Sequence, residues 1–301
     1  MNLVQDLTNK KLITPPKWLP DNVHYLVQMG SVAYGVSDDQ SDTDIYGFCI
    51  PEKSNIFPHL RGEIQGFGTQ IEKFWQYQQH HIKDPSARSG EGIQYDVTIY
   101  SIVKFFQLCM ENNPNMVDSL FVPGRCIRHS TQIGTLVREN RRIFLHKGCW
   151  PKFKGYARGQ LSKMRTKTPE EGGKRFESVQ KFGFDVKFAY HVVRLLHEVQ
   201  QILETGDIDL ERDREVLKSI RRGEWKEQEI VEYFSAREKD LESLYHKSTL
   251  PEEPREVEIK GLLMQCLEIH FGSLADCVYD ESVIIKTLRD VRDRINSLRL
   301  D

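Results

Sequence analysis

Apolar and polar positions alternate over short stretches in the first half of the chain and recur at helical spacing in the second, so the pattern predicts a change of architecture midway. Residues 24–29, in the stretch VHYLVQM, and residues 45–50, IYGFCI, read as two apolar strands on either side of the polar loop GVSDDQSD at 35–42. At 94–100, Tyr95, Val97 and Ile99 alternate with Gln94, Asp96 and Thr98, which predicts a half-buried strand with Asp96 on its polar face. A helical period follows at 102–111 and is broken by the NNPN turn at 112–115. Between 51 and 92 no period persists, so QYQQHH at 76–81 and SARSGEG at 86–92 are expected to belong to an irregular insertion ending in a mobile loop.

Beyond about residue 148 the alternation stops, and helices are predicted over 152–166, 176–204, 211–222, 226–247, 256–276 and 281–299. Gly- and Pro-bearing breaks separate them at 168–173, 204–207 and 248–254. The expected fold is therefore α/β over 1–150, a mixed β-sheet with helices packed on it, followed by an α-helical domain over 151–301. The cleft between the two is the expected site.

Composition narrows this picture in three ways. At 301 residues and 39% hydrophobic content the chain can bury ordinary cores without disulfide or metal staples. A formal net charge of -2 gives no global positive field, so any nucleic-acid surface must be a local patch. The six cysteines show no CxxC spacing, which argues against zinc and disulfide frameworks and for a reducing, cytoplasmic home. No apolar run approaches the roughly 20 residues of a membrane span, and no leader-like apolar stretch opens the chain, so no membrane association is expected.

The chemistry concentrates in Gly30-Ser31-Val32-Ala33-Tyr34-Gly35, followed after ten residues from Ser31 by Asp42-Thr43-Asp44. A glycine here lets the backbone approach a ligand, and the Ser31 hydroxyl with its neighbouring N–H groups can bond phosphate oxygens. Asp42 and Asp44, two apart at the mouth of a strand, project from one face and can share hard cations. Asp96, on the polar face of another strand, is the expected third carboxylate. An isolated DxD is commonly only a turn decoration. The strands on both sides and the third acid change that judgement.

These residues resemble the signature of the nucleotidyltransferase superfamily that includes DNA polymerase beta. Minimal members read GSxARG before the DxD, whereas this chain has Tyr34 at the Arg position. The runs NNPNMVDSLFVP at 112–123, FKGYARGQLSKM at 153–164 and KFAYHVVRLL at 187–196 further resemble the RlaP branch, predicted nucleotidyltransferases associated with RNA repair, over about 23–205. The resemblance implies NMP transfer from an NTP, with ATP the favoured nucleotide, to a hydroxyl at an RNA end, with two Mg²⁺ or Mn²⁺ ions at Asp42, Asp44 and Asp96. It also implies a functional link to an RNA ligase. Two other readings stand beside it: AMPylation of a protein hydroxyl, and a non-catalytic nucleotide or RNA sensor.

The helical half carries candidate nucleotide ligands. Lys187, His191 and Arg194 lie along one stripe of a helix, bordered by Tyr190, with Phe188, Val192, Leu195 and Leu196 opposite. Such a stripe could neutralise triphosphate charge, although charged helix faces are usually only solvated. Residues 152–194 hold eleven Lys or Arg against four acids, which suits backbone contact with a nucleic acid or a pocket for NTP, with Lys163 and Arg165 as phosphate ligands. His80 and His81 show no ligand spacing to an acidic partner, so surface roles are expected for them.

Overall fold

A computed structural model describes residues 1–37, 43–166, 174–274 and 281–297. Its strands are β1 (Val23–Gln28), β2 (Thr43–Cys49), β3 (Gln76–Asp84), β4 (Ile93–Ser101) and β5 (Ile127–Ser130). In the first half the helices are α1 (Leu3–Asn9), α2 (Lys53–Ile56), α3 (Ile102–Met110), α4 (Pro114–Phe121) and α5 (Gln132–Glu139). The second half contains α6 (Cys149–Thr166), α7 (Lys174–Phe182), α8 (Val186–Thr205), α9 (Arg214–Arg221), α10 (Glu227–Lys247), α11 (Glu256–Phe271) and α12 (Glu281–Ser297). No helix among the described residues is long and apolar enough to cross a membrane.

The sheet is mixed, in the order β3-β4-β2-β1-β5, and only β2 and β4 run parallel. Each strand presents its alternate residues to different cores. Tyr25, Val27 and Phe48 join the larger core with the helices, whereas Leu26, Ile45, Val97 and Ile99 join a smaller one closed by Val4 and Leu7 of α1. The larger core continues from the sheet through Phe105 and Phe153 to Leu195 and Leu267. Helix α8 is central to it, packed against α6, α9 and α10, with Val192, Leu195 and Leu196 buried as the helical period predicts.

Three expectations need correction. Residues 76–84 are not irregular: they form β3, an edge strand paired antiparallel with β4. The helix expected over 176–204 is two helices, because Gly183 takes a left-handed φ of 85° and Asp185 caps α8 by accepting from the Lys187 N–H at 2.9 Å. Strand β5 and helices α4 and α5 fill a stretch where the hydrophobic pattern was silent. The NNPN turn behaves as a turn should, with Asn112 at φ 50°, Asn113 as N-cap and Pro114 in the first turn of α4.

The C-terminal helices are tied back to the sheet through histidines. His24 on β1, 9% exposed, meets Thr131 Oγ1 through Nδ1 (2.9 Å) and His270 Nδ1 of α11 through Nε2 (3.0 Å). A neutral ring with its proton on Nε2 satisfies both contacts. Burial, with the nearby His270 and His129 adding to it, lowers His24 from 6.5 to about 4. The unfolded chain therefore binds the proton first, so the contribution of the neutral His24 ring is complete above about pH 6.5 and is lost as the pH falls toward 4. His24 should account for about 3 kcal/mol of the stability lost in urea melts over that window, and His24→Asn should flatten the slope; an unchanged slope in the variant would remove His24 from this account.

Candidate active site

The polar end of the sheet is assembled by register. Asp44 and Asp96 are paired positions of the parallel strands β2 and β4, so their side chains leave the same face side by side. Strand β1 ends beside them: the Met29 N–H donates to the Asp44 carbonyl at 2.8 Å, and the chain then turns at Gly30 into a single 3-10 turn, Gly30–Val32. Gly30 has a φ of 72°, and a β-carbon there would sit 2.5 Å from Asp44 Oδ2. The glycine is thus required twice, for its backbone conformation and for the space the carboxylate occupies. Ser31 follows within the turn. Asp42 lies outside the described residues.

Asp96 is held from the edge strand. Between Gln79 and Ile82 the pairing of β3 slips, with His81 at a φ of 55°, which is the signature of a bulge. The bulge aims the His81 N–H at Asp96 Oδ1 (2.7 Å) and brings His80 Nδ1 to 3.3 Å from Asp96 Oδ2. Both histidines are exposed, in keeping with the surface roles expected of them, but they do meet an acidic partner. Their spacing in sequence could not show it, because the contact depends on one extra residue in the strand.

Beneath the Gly30 turn lies a buried ionic cluster. Tyr34, 3% exposed, donates to Asp118 Oδ2 of α4 at 2.8 Å. Arg194 of α8 reaches the same carboxylate at 2.5 Å, Glu198 at 3.1 Å and the Tyr34 hydroxyl, and its guanidinium lies 4.4 Å from the centre of the Tyr34 ring. Burial raises both carboxyls, Glu198 most, against the opposing pull of Arg194. Burial alone would lower Arg194, but the facing Glu198, Tyr34 and Asp118 hold it well above its ordinary range. A guanidinium so enclosed is a prop for the Gly30–Tyr34 turn, not a group reaching for phosphate, and it comes from α8 where the usual motif carries its Arg at position 34.

The same turn is gripped from two other segments. Arg125 bonds the Val32 carbonyl (3.0 Å) and pairs with Glu211 (2.6 Å), and Arg221 of α9 donates to the Val36 carbonyl at 2.5 Å. Tyr46, two residues along β2 from Asp44, is pushed up to about 12 by burial, then by Asp44, Tyr100 and Asp96, with Arg194 opposing.

The remaining residues of the α8 stripe differ in exposure. Lys187 is exposed, Tyr190 is buried with its hydroxyl unbonded among the described residues, and His191 is partly buried. Burial and the positive field of Arg194, Lys187, Arg175 and Arg221 keep His191 well below its usual range, so it is neutral at pH 7 and can offer only a neutral ring N–H. Lys163 is exposed on the last turn of α6 and makes no contact with the acids. Much of the basic run is already paired: Lys152 with Glu111 (3.7 Å), Lys154 with Glu242 (3.2 Å), Arg158 with Glu238, Arg165 with Glu227 (4.0 Å) and Arg175 with Asp185 (3.7 Å). Lys163, Lys181 and Lys187 are exposed and form no ion pair among the described residues.

The oxygen-only character of Asp44 and Asp96, and the room Gly30 leaves beside Asp44, fit a hard divalent cation. No group of three or more potential ligands gathers among the described residues. A mixed sheet with paired acids beside a glycine turn, backed by helices, is the arrangement expected of a polymerase-beta-like nucleotidyltransferase. The chain belongs to the RNA repair pathway DNA polymerase beta family, RlaP, whose model matches residues 5–265, a longer span than the 23–205 read from the motifs. A nucleotidyltransferase-like protein from Exiguobacterium sibiricum 255-15 is similar at 12% identity over 88% of this chain and 72% of that one, with a TM-score of 0.28, too loose to add to the assignment. No curated protein matches.

Proposed function

We propose that the chain transfers a nucleoside monophosphate from an NTP, ATP being favoured, to a terminal hydroxyl of RNA with release of pyrophosphate. The observation that carries this reading is the register pairing of Asp44 with Asp96 beside Gly30. Asp44 and Asp96, with Asp42, would hold Mg²⁺ or Mn²⁺, which in such a site supplies charge neutralisation on the phosphates and acidifies the attacking hydroxyl. The Gly30–Ser31 backbone approaches the phosphate oxygens, and Lys187 and the His191 N–H face them from α8, in the half of the chain over 151–301 assigned to the nucleotide. The hydroxyl oxygen attacks the α-phosphorus in line, the bond to the bridging β-phosphate oxygen breaks, and the hydroxyl proton passes to the Asp96 carboxylate. The family's RNA repair context supports a tRNA or a damaged RNA as the acceptor and an RNA ligase as a functional partner. The five described cysteines are free and buried, as suits a reducing cytoplasm.

Each labelled NTP, offered with Mg²⁺ or Mn²⁺ to a tRNA pool and separately to lysate protein, should label RNA alone, at a mapped terminus. Label in protein alone would make the chain an AMPylating enzyme; binding with no pyrophosphate release on either acceptor would make it a sensor.

A further inference from the structure

Edge strands are usually blunted by charge or proline, whereas β3 presents a row of neutral hydrogen-bonding groups on an open face. Gln76 and Gln78 pair with Tyr100 and Thr98 of β4 and so share the face that carries Asp96. The row is continuous: Gln76 donates to Gln78 at 3.1 Å, Gln78 meets His80 at 2.6 Å, and His80 meets Asp96 at 3.3 Å. All three of its members are exposed, while Gln79 between them turns to the other side and donates to the Leu12 carbonyl (3.3 Å). None of the three is needed for either core.

At its far end the row opens into a cleft of about 690 Å³ walled by Trp18, Phe74, Trp75, Lys73 and Lys104. Trp75 is 44% exposed, and Trp18 and Phe74 meet edge to face at 4.8 Å, leaving ring surface available. Lys73 and Lys104 form no ion pair among the described residues, and they outnumber Glu72, the acid on the same wall. From Gln76 to His80 the strand covers about 13 Å at its usual rise per residue.

We propose that this track, from the Trp75 cleft along Gln76, Gln78 and His80, carries the last nucleotides of a single-stranded RNA whose terminal hydroxyl arrives at Asp96. The proposal rests on the nucleotidyl-transfer reading above and adds the acceptor's path to it. Exposed aromatic rings with lysines beside them bind unstacked bases and phosphates without sequence preference. Side-chain amides suit the 2′-hydroxyls that distinguish RNA, and a base-paired end could not splay its bases onto Trp75.

The test is titration of the full chain with a 5′-labelled single-stranded oligoribonucleotide, read by fluorescence anisotropy, alongside the KM for NTP. Trp75→Ala and the double variant Lys73→Glu, Lys104→Glu should each weaken RNA binding about tenfold or more and leave the KM for NTP unchanged. Wild-type affinity in both variants, or a blunt RNA duplex bound as tightly as the single strand, would overturn the track. The two readings fail separately. RNA binding that depends on Trp75 in a chain that transfers nothing sinks the enzymatic reading and keeps the track; transfer to RNA by variants of undiminished affinity does the reverse.

Discussion

Asp44→Asn should reduce NMP transfer by about 10³-fold while leaving the chain folded. Asparagine keeps the shape that fits against Gly30, where a β-carbon would lie 2.5 Å from Asp44 Oδ2, but it removes the charge that a cation and a triphosphate require. Stability should not fall, and in the absence of divalent ions it should rise slightly, because two carboxylates on paired positions of adjacent strands repel one another. A second readout separates this from damage to the fold. Mg²⁺ should raise the Tm of the wild-type chain by mass action and should not raise that of the variant. Asp96→Asn should lose transfer similarly while its amide oxygen still accepts from the His81 N–H. Retained transfer in a folded Asp44→Asn protein would end the assignment of the site.

The largest effect on stability is expected from Arg194→Met. Arg194 is 5% exposed and faces Asp118, which is fully buried, and Glu198, which is 3% exposed. Removing the cation leaves both carboxyls without their charged partner, a change that costs about 3–5 kcal/mol and should lower the Tm by on the order of 10 °C. The same arithmetic predicts partial rescue. Arg194→Met combined with Asp118→Leu and Glu198→Leu removes the orphaned acids together with the cation, and should recover much of the loss. Because Arg194 and Asp118 both bond Tyr34, the single variant should also weaken NTP binding through the Gly30–Tyr34 turn. Urea unfolding and NTP titration measure the two effects separately. A melt within 1 kcal/mol of wild type would mean the cluster is solvated and that Arg194 is available to a ligand after all.

That cluster also shows how far the motifs could be read in isolation. Asp118 belongs to the 112–123 run and Arg194 to the 187–196 run, 76 residues apart, and Asn113 of the first run donates to Tyr156 of the 153–164 run at 2.9 Å. The three patterns are therefore joined in the interior. On a helical wheel, Arg194 and Glu198 look like any solvated i, i+4 pair, and only the packing of α8 between its neighbours buries them.

Adjacent residues were enough to determine the strands β1, β2 and β4, most helices of the second half, the Gly30–Ser31 turn and the polar face bearing Asp96, because period and turn chemistry are local properties of the chain. What tertiary structure decided was partnership. The register that sets Asp44 against Asp96, the bulge that turns His80 and His81 toward Asp96, and the burial that converts Arg194 from a surface charge into a prop each involve residues distant in sequence. Strand β3 stayed hidden for the same reason: a polar edge strand with an exposed face has no hydrophobic period, and its pairing with β4 becomes visible only once the neighbouring strand is in place.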